Sequence, residues 1–488
     1  MTTLSQLEPM NVWGHFENIC KIPRPSYQEQ GVIDYIRNFS NKLGLENEID
    51  PAGNIIVRKP ATKGMEQNKG IIIQGHMDMV AQKTNESQHN FETDPIEAYI
   101  DGEWVTAKGT TLGSDNGIGV AMALAVLESD NIPHPAIECL FTVNEESGMS
   151  GALELQPGYF QGEWLLNIDT EEEGELYVGC AGGQDIVIEF PITTMDVPKD
   201  TQTFHLNVSH LKGGHSGVDI HTDRANANKI TNDFLIEALA LEDFYVASFN
   251  GGSLRNAIPR DATTTVCISH DKIEDFKHLA NNLMQSFRAG LQEDDSNLQI
   301  RLEPCEAVAK VISKASLQQF VEAIEKCPNG VDSWIKDLPD VVETSDNLAK
   351  ITSHEDHITI EISVRSSVET EKDRLSESIK ALFEKYHATA TFGNGYPGWK
   401  PDMNSNLLKI SKDIYHDAFG KIPEVKVIHA GLECGVIGAT YPKWEMISFG
   451  PTIVDAHSPD ERCKIDDVAK VWQYLKAILA KVPQKAQS

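Results

Sequence analysis

The sequence is short of positive charge. It sets only 42 Lys and Arg against 73 Asp and Glu, a formal net charge of −31 over 488 residues, and a chain so anionic is repelled by nucleic acid and by anionic membrane surfaces. Neither is an expected partner, and most of the surplus carboxylates are read as a solvated, solubilising face. Also missing is any window near the ~18 uninterrupted apolar residues that a membrane helix needs. The opening Met1-Thr2-Thr3-Leu4-Ser5-Gln6-Leu7-Glu8-Pro9 has neither the basic nor the apolar stretch of a secretion signal. The eight cysteines (Cys20, Cys139, Cys180, Cys267, Cys305, Cys327, Cys434, Cys463) include no CxxC pair, so they read as reduced thiols and the expected location is the cytoplasm. No short internal period is present, which excludes a solenoid or a propeller.

What remains is globular material: 40% hydrophobic and 24% charged residues, in a chain long enough for two large domains or about three ordinary ones. Ser26 stands three residues before Glu29, a capping-box spacing, and Val32, Ile33, Tyr35, Ile36, Phe39 and Leu43 follow at helical intervals, which predicts a helix over 26–43. Apolar runs at 55–58, 70–76, 137–143 and 164–169 read as strands, the second buried on both faces, and 116–128 as a helix despite its early glycines. From 187 to 394 the pattern changes to alternating strands (203–208, 263–268) beside amphipathic helices (275–291, 315–326), the mark of an α+β insertion. Gly393-Asn394-Gly395-Tyr396-Pro397-Gly398-Trp399 reads as a hinge. The earlier style then returns with a helix over 407–419, strands near 426–428 and 445–449, and a terminal helix over 465–482. The expected fold class is α/β, with a first domain of 1–186 plus 395–488 interrupted by a second of 187–394.

Polar residues gather at the ends of these elements, where open α/β sheets place ligands. In His76-Met77-Asp78 the two outer residues share one face of a strand, so Asp78 can back the imidazole; a chance pairing reads the same way. Asp115, in Gly113-Ser114-Asp115-Asn116-Gly117, opens a helix, where an acid is either a cap or a carboxylate held over a cleft. Glu145 and Glu146 adjoin at a strand end, and adjacent acids divide naturally into one ligand and one proton carrier. Asp169 ends another strand, followed by Glu171-Glu172-Glu173, read as a solvated acidic turn, and His457 stands far along the chain in Ala456-His457-Ser458-Pro459-Asp460-Glu461. Two imidazoles with several carboxylates form the borderline-to-hard donor set of a Zn²⁺, Mn²⁺ or Co²⁺ pair.

The segments GHMDMV, TTLGSDNGIG, TVNEESGM, NIDTEEEGE, KGGHSG, RNAIP and GP followed five residues later by HSPDE, in this order, resemble the M20 metallopeptidase family, and most closely its aminoacyl-histidine dipeptidase branch. The resemblance runs over essentially the whole chain. It implies a zinc-peptidase-like catalytic domain with a central mixed sheet flanked by helices, interrupted by an α+β lid/dimerisation domain that either closes over substrate or mainly makes a dimer interface. It further implies two Zn²⁺ per chain, with Mn²⁺ or Co²⁺ as substitutes: His76 and Asp169 on one ion, Glu146 and His457 on the other, and Asp115 between them. Asp78 would orient His76, and Glu145 would be the general base for a water bridging the ions. By the same comparison His215 would stabilise the oxyanion, while Asn256 and Arg365 would hold the substrate backbone and its carboxylate; a structural ion pair is the other reading of Arg365. Glu433, in His429-Ala430-Gly431-Leu432-Glu433, would meet the substrate's amino group. The implied activity is hydrolysis of dipeptides, especially Xaa-His including carnosine, by a cytoplasmic homodimer. An acylase or tripeptidase would share the same ligands, and a non-catalytic metal- or peptide-binding protein would have no use for Glu145.

Overall fold

The computed structural model describes residues 3–336 and 338–485; the first two residues of the opening segment, Met1 and Thr2, lie outside them. The chain separates into two compact units: Met1–Gly179 with Trp399–Val427 and Leu432–Ser488, and Cys180–Gly398 with Ile428–Gly431.

The first unit is built on an eight-stranded sheet, in the order Glu46–Ile49, Ile55–Lys59, Ile137–Thr142, Ile71–His76, Trp164–Asn167, Glu445–Ser448, Glu175–Cys180, Glu424–Ile428. Its central strands pair in parallel and those on either side of them antiparallel, so the sheet is mixed. Every residue of Ile71–His76 and of Ile137–Thr142 is buried, as parallel strands covered on both faces require. The helix Ser114–Glu128 packs on Ile71–His76 and against the helix Met10–Cys20. Its early glycines, unfavourable for a helix, permit that approach: a Cβ on Gly119 would stand 2.4 Å from the carbonyl oxygen of Ile168. The helices Asn406–Phe419 and Ile465–Ala480 pack on each other, and their apolar residues join the same core.

The second unit is an antiparallel sheet in the order Gln299–Pro304, Thr201–Ser209, Ala262–Ser269, Phe244–Gly251, Leu338–Ser353, His357–Ser366, Gly182–Pro191, Thr389–Tyr396, with Gly330–Ile335 also paired to Leu338–Ser353. Helices Ala227–Leu239, Ile273–Gly290, Lys314–Lys326 and Glu369–Glu384 contribute their buried faces to its separate core.

Three expectations need correction. The unit starts at Cys180, not 187, because Gly182–Pro191 pairs along its whole length with His357–Ser366. The hinge expected at 393–399 is strand as far as Tyr396; the glycines take up a register shift between Phe392 and Gly395, and the unit ends at Gly398. The helix expected over 26–43 spans Gln30–Lys42, is preceded by the helix Met10–Cys20, and makes no capping box, since Ser26 and Glu29 have other partners. The described cysteines form no disulfide, and seven of them are buried. Among the described residues no helix is long and apolar enough to cross a membrane.

Candidate functional site

Ile71–His76, Ile137–Thr142 and Trp164–Asn167 lie side by side in parallel, so their C-terminal ends open on one edge of the sheet. His76 ends the first strand, Glu145 and Glu146 follow the second, and Asp169 follows the third. Asp115 reaches the same edge from the start of the helix Ser114–Glu128, after Gly113 turns the chain at φ 71°. His457 arrives from the loop after Ile453–Val454.

The geometry is that of two half-sites sharing one carboxylate. The Nε2 of His76 stands 3.0 Å from Asp115 Oδ1 and 3.3 Å from Asp169 Oδ1. The Nε2 of His457 stands 3.1 Å from Asp115 Oδ2 and 3.1 Å from Glu146 Oε2. Atoms of His76, Asp115 and Glu146 all lie within 4.8 Å of one another. Glu146 Oε1 is buried without a hydrogen-bond partner, and the buried Asp169 Oδ1 has only the 3.3 Å contact to His76, a costly condition unless something else satisfies them. These under-satisfied oxygens, and a donor set of imidazole and carboxylate, fit divalent cations.

Electrostatics point the same way. Hydrogen bonds to Asp115 and Glu146 push the His457 imidazole up to about 11. Burial pulls the His76 imidazole down, yet Asp169 and the hydrogen-bonded carboxylates carry it well above its usual value. Burial raises both Glu146 and Asp169. It also raises Glu145 well above the ordinary range, reinforced by Asp169, Glu433 and Glu146. So many acids in so little water call for added positive charge.

The supports beneath this edge differ from the sequence expectation in their details. Asp78 does back His76, its Oδ1 lying 3.3 Å from Nδ1, but the strand ends at His76 and a turn, not strand alternation, brings Asp78 round. Completely buried, Asp78 also accepts from Ser26 Oγ (2.8 Å) and from the backbone N–H groups of Glu145 (3.0 Å) and Glu146 (3.2 Å). Glu29, the other half of the expected capping box, accepts the N–H of Asn144 at 2.9 Å. The acidic turn is less solvated than expected: burial pushes Glu171 up to about 8, and Glu173 pairs with Lys470 at 3.1 Å. Sequence reading missed two buried residues that grip the loop before Asp115, Arg24 and Glu461; the latter stood in plain view within HSPDE, whereas Arg24 gave no signal beyond its flanking prolines.

Glu433 is placed differently from its expected contact with substrate. It has no exposed surface, and its Oε2 accepts from Gln74 Nε2 (2.5 Å) and Thr142 Oγ1 (2.8 Å). Burial pushes its carboxyl up to about 7. A polar ladder on adjoining strands extends the network, with Asn167 Nδ2 donating to Gln74 Oε1 at 2.6 Å and Ser448 bonded to Asn167.

The remaining expected residues belong to the second unit. His215 lies on a short strand, Gly214–His215, and its Nδ1 accepts the N–H groups of Gly217 (3.2 Å) and Val218 (3.1 Å). Accepting at Nδ1 assigns the proton of the neutral ring to Nε2. Burial, with the nearby Arg365, pulls this imidazole below its usual value. Arg365 is buried and donates from Nη1 to Tyr396 Oη at 3.0 Å, with no carboxylate oxygen within ion-pair distance among the described residues. Asn256 is exposed in a turn, its carbonyl accepting the N–H of Ser216 at 2.8 Å.

Comparison with known proteins matches this arrangement to one family. The family model described as "Peptidase family M20/M25/M40" matches residues 72–481, a span that includes all five residues of the two half-sites. The cytosol non-specific dipeptidase of Escherichia coli (strain K12) is 42% identical over 485 residues, covering 99% of this chain and all of that protein. The crystal structure of aminoacylhistidine dipeptidase from Vibrio alginolyticus superposes with a TM-score of 0.93 at 43% identity, covering 99% of each chain. Aminopeptidase PepT from Bacillus cereus, 16% identical with a TM-score of 0.57 over 98% of this chain and 99% of that one, shares the fold alone. With its acids and imidazoles at the ends of parallel strands and full-length relatives on both counts, the chain belongs to peptidase family M20/M25/M40.

Proposed function

We propose that the protein is a metal-dependent dipeptidase that hydrolyses the peptide bond of dipeptides, Xaa-His and carnosine among them, with two Zn²⁺ held by five side chains. The observation that carries this reading is the division of the Asp115 carboxylate, one oxygen toward His76 and the other toward His457. His76 and Asp169 would hold one ion, His457 and Glu146 the other, and Asp115 both. When bound, such a pair supplies Lewis acidity for the attacking water and the substrate carbonyl.

The chain's own residues do the rest. Glu145, beside the half-sites at the same sheet edge, is assigned to taking a proton from the attacking water and returning it to the leaving amine. Asp78 holds the imidazole of His76 and the backbone of Glu145 and Glu146 in one place. His215 donates Nε2–H to the oxyanion, a role supported by its tautomer and lowered basicity. Arg365 clamps the substrate carboxylate with its planar fork, and Asn256 holds the substrate backbone. Glu433, sealed from solvent, is assigned to holding negative charge behind Glu145 in place of direct contact with the substrate amine. The cytoplasm and a homodimer are part of the same proposal.

The deciding experiment measures bound metal by elemental analysis together with release of histidine from carnosine, with and without chelator. About two Zn²⁺ per chain and chelator-sensitive release support the reading; two ions with turnover only of acylated amino acids would favour an acylase, and no metal would refute the site. Glu145→Gln should keep the metal and lower kcat at least about 10²-fold; full turnover in that variant would remove Glu145 as the base.

A further inference from the structure

Asp115 can face both half-sites only if the loop before it is rigid, and two buried ions of opposite sign hold that loop. Glu461, 2% exposed, accepts the N–H groups of Leu112 (2.7 Å) and Gly113 (2.9 Å) on Oε2. Its Oε1 accepts Ser114 N–H (2.8 Å), Ser114 Oγ (2.6 Å) and, at 3.4 Å, the N–H of Asp115 itself. Arg24, also 2% exposed, donates from Nη2 to the carbonyl of Gly113 (2.5 Å) and from Nη1 to those of Met77 and Asp78 (both 2.9 Å). The peptide between Gly113 and Ser114 thus has its carbonyl on Arg24 and its N–H on Glu461. The glycine is required there: at φ 71°, a Cβ would lie 2.5 Å from Arg24 Nη2.

We propose that Arg24 and Glu461 are positioning residues that hold the Asp115 carboxylate across the two half-sites, with Arg24 also tying that loop to the turn carrying Asp78. The proposal rests on Asp115 as the shared ligand. Groups that orient metal ligands commonly change metal affinity or activity 10–100-fold when replaced. A merely structural pair would lower stability and leave the affinity of the folded protein unchanged.

The test is calorimetric titration of the metal-free full-length protein with Zn²⁺, against a competing chelator, for wild type, Glu461→Gln, Glu461→Asp and Arg24→Lys, with circular dichroism as the check on folding. Glu461→Asp separates geometry from charge, because it keeps the negative charge and withdraws the acceptor from the loop. The expected result is zinc affinity about 10–100-fold weaker in Glu461→Gln, a smaller loss of the same kind in Glu461→Asp and Arg24→Lys, and reduced kcat with KM nearly unchanged. Folded variants that take up two Zn²⁺ with wild-type affinity would overturn the proposal. Should Glu461→Gln fail to fold, Glu461→Asp and Arg24→Lys decide by the same criterion. Wild type taking up fewer than two ions would instead refute the shared-ligand reading, and this proposal with it.

Discussion

Adding one methyl group at Gly119 tests whether the helix behind the site positions its acids. The new Cβ would meet Ile168 O at 2.4 Å and the side-chain amide of Asn116 at 2.7 and 2.8 Å, where ordinary contact starts at 3.4 Å. Relief demands about 1 Å of movement between helix and strand end. The Ile168 side of the contact resists, because it is backbone whose N–H is already bonded to Gln74 O at 3.1 Å. Overpacking of this kind costs about 1–3 kcal/mol, offset by about 1 kcal/mol from the better helix propensity of alanine, so the net destabilisation stays below about 2 kcal/mol. The functional effect is larger, since Asp169 is the next residue after Ile168 and a ~1 Å misplacement in an active site costs on the order of 10²-fold in rate. Gly119→Ala should therefore fold, unfold at a slightly lower temperature, and show kcat reduced about 100-fold in the dipeptide assay. Wild-type turnover in a folded Gly119→Ala protein would refute the idea that this contact sets the position of Asp169.

Other perturbations follow from the same geometry. Asp78→Ala removes the group behind His76 and the acceptor for two backbone N–H groups, so zinc affinity measured by competition should fall about 10–100-fold; unchanged affinity would make Asp78 dispensable. His429, on Ser345 Oγ at 2.7 Å, is pushed down to about 3 by burial and by Arg365. The unfolded chain, with a histidine value near 6.5, then binds the extra proton first, so the stability His429 contributes is complete above pH 6.5 and is lost as pH falls toward 3. From pH 6.5 to 5 the loss is about 2 kcal/mol, and His429→Asn should flatten that part of the unfolding-temperature profile; an identical profile would reject the assignment. Chelation should destabilise the protein as well as inactivate it, by about 2.7 kcal/mol for each ion present at 100 times its dissociation constant, readable as a thermal shift reversed by Zn²⁺.

The candidate site was legible because His76, Asp115, Glu146, Asp169 and His457 each stood in a short, distinctive segment at the end of an element, and the structure brings them together. Apolar runs placed the central strands for a similar reason, since strands buried on both faces have few alternatives. The scaffolding was harder to see. Ser26 and Glu29 carried the local signature of a helix start, and tertiary hydrogen bonds to Asp78 and Asn144 overrode it. Glu433 read as a pocket-lining acid facing the substrate amine, because nothing local shows that it is sealed from solvent against Gln74 and Thr142. Arg24 acts only on backbone carbonyls 53 or more residues away, and such contacts leave no pattern in sequence.

The order of the chain also bears on how the protein is made. The second unit's main stretch, Cys180–Gly398, is continuous, whereas the first must wait for Trp399–Val427 and Leu432–Ser488. On a ribosome the inner unit can therefore fold while the outer sheet still lacks Glu424–Ile428 and Glu445–Ser448. His457 and Glu461 follow the second unit in chain order, so a nascent chain carrying only His76, Asp115, Glu146 and Asp169 has at most one of the two proposed half-sites. If the proposed site is right, synthesis itself delays catalytic competence until the segment after the second unit has left the exit tunnel.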